Sequence, residues 1–259
     1  MLRVGVFGAG GRMGTAVCQA VSADDQLELV AAVDPVHAGE RLGPAGPDIS
    51  SAPDALADAG AQVAIDFTWA GPALANALWC AGHGVHAVIG TTGFSPDALE
   101  QLKAAFGPGP ANCVLAPNFA IGAVLMMRFA EMAAPWFETA EIVELHHDGK
   151  LDSPSGTAVL TARRMSAARS DGLRAGAVPA GASGPARGAE AAPGVRVHSV
   201  RLRGLVAHQE VLLGTAGQIL TLRHDSLDRS SFMPGVVLAV KQVAGRRGFT
   251  HGLDPLLGL

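Results

Sequence analysis

The hydrophobic and polar positions of the chain fall into two regimes. Up to about residue 117, short apolar runs alternate with stretches of helical period. Val4–Phe7, Leu29–Val33, Val63–Phe67, Val85–Ile89 and Cys113–Ala116 predict buried strands, and Arg12–Val21, Pro72–Gly82 and Ser95–Phe106 predict helices. Ser95 is placed to cap the last helix, with Pro96 at its first position. Strands alternating with helices predict a parallel sheet covered on both faces, and right-handed crossovers make it doubly wound.

Beyond Asn118 the pattern changes. A helix over Gly122–Ala134 leads to a strand over Glu141–Leu145, then to a polar turn-rich segment and a helix over Thr157–Arg169. Residues 171–194 are dominated by Gly, Ala and Pro without a usable period. They are expected to form a mobile surface loop, with a lid as the alternative. Arg196–Arg203, Ala207–Leu213 and Gln218–His224 predict three strands whose short connections favour antiparallel pairing. A last helix, Met233–Ala244, carries Val236, Val237, Val240 and Val243 and is expected to return to the first domain. The expected fold class is α/β: a Rossmann-like doubly wound parallel-sheet domain, residues 1–117 and 228–259, plus a smaller α+β domain, residues 118–227.

Composition narrows the function. The formal net charge of −4 lacks the basic excess of a nucleic-acid-binding surface. No apolar run is long enough for a membrane span, and the opening MLRVGVFGAGG lacks the pattern of a secretory signal. Cys18, Cys80 and Cys113 are odd in number and widely spaced, resembling neither a disulfide framework nor a metal knuckle, so a cytoplasmic protein is expected.

The first predicted strand ends in Gly8-Ala9-Gly10-Gly11-Arg12-Met13-Gly14, and a helix follows at once. Glycines let a backbone turn tightly and approach a pyrophosphate, while the helix N-terminus offers N–H groups and a positive dipole end. Met13 falls where the last glycine of the plain G-x-G-x-x-G spacing would stand, so the loop reads as Gly8-x-x-Gly11-x-x-Gly14. Asp34, 20 residues after Gly14, can accept hydrogen bonds from the adenosine ribose, which favours NADH; otherwise it begins a turn before Pro35. Arg12 can offset its repulsion of a 2′-phosphate, leaving use of both NADH and NADPH open. Gly90-Thr91-Thr92-Gly93 and Ala116-Pro117-Asn118-Phe119 follow strand ends on the carboxyl edge of the sheet, where ligands bind in open α/β folds.

The segment Glu144-Leu145-His146-His147-Asp148-Gly149-Lys150-Leu151-Asp152-Ser153-Pro154-Ser155-Gly156-Thr157 places two histidines and a lysine between a strand end and a helix start. Singly, such residues are a structural hydrogen bond or a solvated charge. Together, Lys150 and the N–H groups near Gly156 and Thr157 can hold carboxylates, and the histidines supply donors or a proton near neutral pH.

At these residues the chain resembles the 4-hydroxy-tetrahydrodipicolinate reductase (dihydrodipicolinate reductase) family, nearly end to end. The marks are GAGGRMG at 8–14, DFT at 66–68, GTTG at 90–93, APNF at 116–119, ELHHDGKLDSPSGTA at 144–158, HSVRLRGLVAHQEVLLG at 198–214 and LTLRHDSLDRSSFMPGVVLAV at 220–240. The resemblance implies NADH- or NADPH-dependent reduction of a small dicarboxylate in the diaminopimelate route to lysine. It implies His146 as proton donor, Lys150 as its helper against developing charge, and His147, Ser155, Gly156 and Thr157 as substrate-binding residues. Residues 8–13, Asp34, 90–92 and 116–119 would hold the cofactor, and the second domain would bind substrate and join a homotetramer. Ser153 stands where alanine is usual, and Pro35 stands where some relatives carry an arginine that assists NADPH.

Other classes fit less well. A short-chain dehydrogenase needs a catalytic tyrosine, and the chain has none. A semialdehyde dehydrogenase needs a reactive cysteine, whereas all three cysteines fall in apolar segments. His224-Asp225-Ser226 are sequence neighbours, which cannot form a His-centred relay, and nothing near His146 and His147 has metal-ligand spacing. A nucleotide sensor without turnover would need only the first domain and could lose residues 146–157, which are intact.

Overall fold

Residues 1–44, 46–107, 109–176 and 187–259 are described by a computed structural model and divide into two units, Met1–Phe119 with Arg229–Leu259, and Ala120–Asp228. In chain order the first unit opens with β1 (Leu2–Phe7), α1 (Arg12–Ala23), β2 (Leu27–Val33), β3 (Ile49–Ser50), α2 (Asp54–Asp58), β4 (Val63–Asp66), α3 (Ala70–Gly82), β5 (His86–Ile89), α4 (Pro96–Phe106) and β6 (Cys113–Leu115). The second unit contains α5 (Ile121–Ala133), β7 (Thr139–His146), α6 (Gly156–Ala168), β8 (Ala189–Ala192), β9 (Val195–Arg201), β10 (Ala207–Thr215) and β11 (Gln218–Ser226). The chain then returns to the first unit as α7 (Met233–Gln242), β12 (Phe249–His251) and α8 (Asp254–Leu257).

The first unit is a seven-stranded sheet in the order β12-β6-β5-β4-β1-β2-β3, with every pairing parallel. Strands buried on both faces explain the unbroken apolar runs of the sequence. The connection runs one way from β1 to β2 and the other way to β4, so the strand order reverses between β1 and β4, where such folds open a crevice. α1 packs on α7, and α3 packs on α4. Ser95 caps α4 by accepting from Ala98 N at 3.2 Å. The core is built from small side chains around Phe7, Leu56, Leu102 and Phe106, and includes Cys80 and Cys113. Burial pushes the thiols of Cys18 and Cys80 up to about 12 and that of Cys113 higher, so at neutral pH all three are protonated.

The second unit is a five-stranded mixed sheet, β11-β10-β7-β9-β8. The expected antiparallel run of its last three strands holds only for β10 and β11. β7 lies between β9 and β10, pairing parallel with the former and antiparallel with the latter. Ala140, Ile142, Val195, Val197, Val211 and Leu213 share one face and make the core with Ala158, Ala162 and Met165 of α6. A central strand with apolar side chains matching both neighbours outweighs a short connection between those neighbours.

The segment 171–194 is not the structureless loop its composition suggests. Leu173 is buried in the core, and β8 pairs with β9 despite its Ala-rich sequence. Residues 177–186, the middle of the expected loop or lid, lie outside the described residues. The elements that the sequence did not mark, β3, α2, β8, β12 and α8, have only two to five residues and show no period.

Candidate active site

The first candidate region lies at the reversal of strand order. A cavity of about 620 Å³ is lined by Gly8, Gly11, Arg12 and Met13, by Asp34 and His37 after β2, by Thr68 and Trp69 after β4, and by Arg229. The glycine loop needs its glycines for two different reasons. Gly8 has φ +68°, in the left-handed region that side chains disfavour. At Gly14 a Cβ would lie 1.9 Å from the Gly8 carbonyl oxygen, so this glycine lets α1 start tight against the turn. Gly11 is the N-cap of α1, and no side chain caps that helix. Its first-turn N–H groups therefore have no internal side-chain acceptor, which suits an anion.

Asp34 is buried, 7 % exposed, and its carboxylate is already engaged. Oδ1 accepts from Val36 N at 3.0 Å; Oδ2 accepts from Gly10 N at 3.1 Å and pairs with His37 Nδ1 at 3.0 Å. Burial works against its ionisation, but hydrogen bonds from His37, Val36 and Gly10 outweigh burial and hold the carboxyl below its usual range. Ala9 and Gly10 do not line the cavity; Ala9 is fully buried, and Gly10 contributes through its N–H to Asp34.

A smaller cavity, about 130 Å³, is lined by Thr91, Thr92, Gly93, Pro117 and His251 at the ends of β5, β6 and β12. Gly90, Ala116, Asn118 and Phe119 stand beside it in the same loops without lining it. Gly90 is required by packing, because a Cβ there would lie 2.0 Å from the Phe67 ring, which in turn tilts against Phe119 at 5.5 Å. Asp66 ties these loops together: it accepts from Thr68 N (2.8 Å), Thr68 Oγ1 (2.6 Å), Asn76 Nδ2 (2.8 Å) and Thr91 Oγ1 (3.4 Å).

The second candidate region grows from the end of β7. Period-2 alternation puts Glu144 and His146 on the face that carries the core, and Glu144 is completely buried. A buried carboxylate needs partners, and Glu144 has them. Arg201 of β9 reaches both its oxygens, at 2.8 and 2.9 Å, His146 Nδ1 stands 2.5 Å from Oε2, and Ser155 N donates to Oε1 at 3.2 Å. Burial alone would raise the carboxyl; hydrogen bonds from His146, Arg201 and Ser199 reverse this and hold it at about 2. Glu144 is therefore an anion that fixes the His146 ring through Nδ1.

Arg201 also donates to the Asp152 carbonyl at 2.7 Å, and Arg203 reaches Asp148 Oδ2 at 2.8 Å, so the end of β9 and the turn after it hold the 147–154 loop at two points. Lys150 Nζ donates to Asp152 Oδ1 at 2.6 Å, and His147 is exposed. Ser155 is the N-cap of α6, its hydroxyl accepting from Ala158 N at 3.2 Å, so both its hydroxyl and its N–H have internal partners. Gly156 opens the helix with free space where a side chain would stand, and Thr157 follows in the first turn. Behind them, Gln209 Nε2 donates to Thr161 Oγ1, which donates to the Thr157 carbonyl, each at 2.8 Å. His224 and Asp225 alternate across β11: His224 packs on Gly122, and Asp225 pairs with His208 and Arg223.

The sequence assigned no role to Glu144, Arg201, Asp66 or His37, although the first three lie in segments it singled out. For Glu144 a signal existed, an acidic residue two places before a histidine on an otherwise apolar strand face. For Arg201, 57 residues away, only the sheet order supplies it.

Two family models match the chain, meeting near residue 120. Residues 2–119 match the family model described as dihydrodipicolinate reductase, N-terminus, and residues 122–257 the model described as dihydrodipicolinate reductase, C-terminus. A 4-hydroxy-tetrahydrodipicolinate reductase of Cutibacterium acnes is 51 % identical over all of this chain and all of its own. One from Nocardia farcinica is 50 % identical over 100 % of this chain and 99 % of its own. The solved structure of a dipicolinate-bound dihydrodipicolinate reductase from Paenisporosarcina sp. TG-14 superposes with a TM-score of 0.86, at 39 % identity, covering 98 % of this chain and 99 % of that one.

Proposed function

The chain belongs to the dihydrodipicolinate reductase family, and from that premise we propose that it reduces 4-hydroxy-tetrahydrodipicolinate, through dihydrodipicolinate, to tetrahydrodipicolinate in the diaminopimelate route to lysine. The observation that carries the reading is His146 held by the buried Glu144–Arg201 pair, directly before Lys150 and the first turn of α6. A ring bearing two carboxylates needs cationic and N–H donors at one place and a proton source beside them, and this segment supplies both.

The fit of the first unit to a dinucleotide rests on the uncapped start of α1, the glycines that clear the turn, and the acidic Asp34 at the cavity wall. A nicotinamide bound there supplies the hydride. Residues 8–13 would meet the pyrophosphate, Asp34 the adenosine ribose, and residues 90–92 and 116–119 the nicotinamide end. NADH is the favoured partner because Asp34 opposes a 2′-phosphate, and Arg12 keeps NADPH usable. Negative charge grows toward the substrate's ring nitrogen and adjacent carbon as hydride arrives. His146 donates a proton from Nε2, and Lys150 leaves Asp152 to neutralise the same charge. His147, Gly156 and Thr157 hold the carboxylates, with Ser155 contributing as the cap that shapes the turn.

No helix among the described residues is long and apolar enough to cross a membrane; a cytoplasmic location is part of the proposal and suits a reaction that draws on the nicotinamide pool. The outer face of the second sheet carries Val143, Leu145, Val200, Leu212 and the exposed Ile219 among ion pairs such as Glu141–His198 and Arg223–Glu210. Such a face suits association into a homotetramer, which sedimentation equilibrium checks.

The test is a coupled assay in which the preceding synthase makes the unstable substrate in place from pyruvate and aspartate semialdehyde. Oxidation of NADH or NADPH that depends on the synthase is the expected result. Absence of oxidation with either nucleotide, while both bind, overturns the proposal.

A further inference from the structure

The surroundings of Asp34 carry a consequence for cofactor choice that rests on the dinucleotide reading of the first unit. A carboxylate offers about four lone-pair sites, and in this structure three are filled, by Gly10 N, Val36 N and His37 Nδ1. A ribose whose 2′- and 3′-hydroxyls both donate to Asp34 therefore needs one partner to withdraw. Gly10 N and Val36 N belong to the backbone of two turns. His37 is a side chain, about a third exposed, and is the partner able to leave.

The His37 ring also occupies a telling place. It covers the glycine loop so closely that a Cβ at Gly10 would come within 2.3 Å of it, and it lines the same cavity as Asp34. The other charged groups on that cavity are Arg12 from α1 and Arg229 from the turn before α7. Glu40, on the turn that follows His37, is exposed, and Asp66 at the end of β4 is engaged with Thr68 and Asn76. Among the described residues Asp34 is thus the one carboxylate lining the cavity, and His37 is its side-chain partner there.

We propose that His37 sets the balance between NADH and NADPH: its ring competes with the ribose hydroxyls for Asp34, and it stands where a ring N–H can donate to a 2′-phosphate. Acting through Asp34 toward NADH and directly toward NADPH, one side chain moves the two affinities in opposite directions. A merely structural role would move them together.

Calorimetric titration of the full-length protein with NADH and with NADPH tests this, using wild type, His37→Ala and His37→Gln. Removing the competitor tightens NADH, and removing the donor to the 2′-phosphate weakens NADPH, so the ratio of Kd(NADPH) to Kd(NADH) rises about tenfold in His37→Ala. His37→Gln keeps a hydrogen-bond donor and gives a smaller rise. Equal ratios in all three proteins would overturn the role of His37. Wild type binding neither nucleotide would instead overturn the dinucleotide reading on which it rests.

Discussion

In the first unit the groups that face a ligand are mostly backbone, freed by glycines and by a helix that no side chain caps. In the second they are side chains, and they stand where they do because a buried carboxylate, Glu144, is clamped by an arginine from another strand. The first kind of site tolerates changes in side chains that do not intrude on the turn, since peptide N–H groups do the binding. The second has little tolerance, because a buried ion pair that loses one member leaves the other charge unpaired in a low-dielectric setting. Under the proposed function, the chain would use backbone where the ligand part is invariant and charged side chains where a proton must move.

Substitutions that strike each plan at its weakest point sharpen the contrast. Glu144→Ala carries the largest expected cost, about 3–5 kcal/mol of stability, because Arg201, only 19 % exposed, and His146 both lose the carboxylate that pairs them. Denaturant unfolding measures it, and a loss well under 1 kcal/mol would show that the clamp is not what holds this region. Gly14→Ala comes next. Its Cβ would collide with the Gly8 carbonyl oxygen, so the start of α1 must shift, at about 1–3 kcal/mol. Nucleotide affinity falls with it, read by fluorescence titration, while the acid behaviour of the second unit stays unchanged.

Acid gives the smallest effect at working pH and separates the units without mutation. Glu144 ionises at about 2 in the folded chain, below the ordinary 4.5. Its contribution to stability is therefore complete above 4.5 and is lost as pH falls from there toward 2. Unfolding followed by circular dichroism across that range should show a loss in wild type that is reduced in Glu144→Gln.

The contrast also explains how much was legible in the sequence. The parallel sheet was readable because strands buried on both faces are continuous apolar runs, and α4 because Ser95 and Pro96 mark its start. The glycine loop was readable because its spacing states a backbone requirement directly. The second sheet was half readable: its strands showed, but their order did not, since β7 entering between β9 and β10 is decided by which apolar faces match across 50 residues or more. For the same reason His146 and Lys150 could be singled out locally, while Arg201 could not. His37 escaped notice because a histidine after an Asp-Pro turn looks like loop, and only its place over Gly10 gives it meaning.

The division of labour between the units is tested most directly by Lys150→Ala, assayed for NADH binding and for synthase-coupled NADH oxidation in the same preparation. Lys150 has its partner, Asp152, in its own loop of the second unit. Binding of NADH equal to wild type, with turnover lower by about 10²- to 10⁴-fold, is the expected result. Unchanged turnover, or NADH binding lost along with it, would contradict the account.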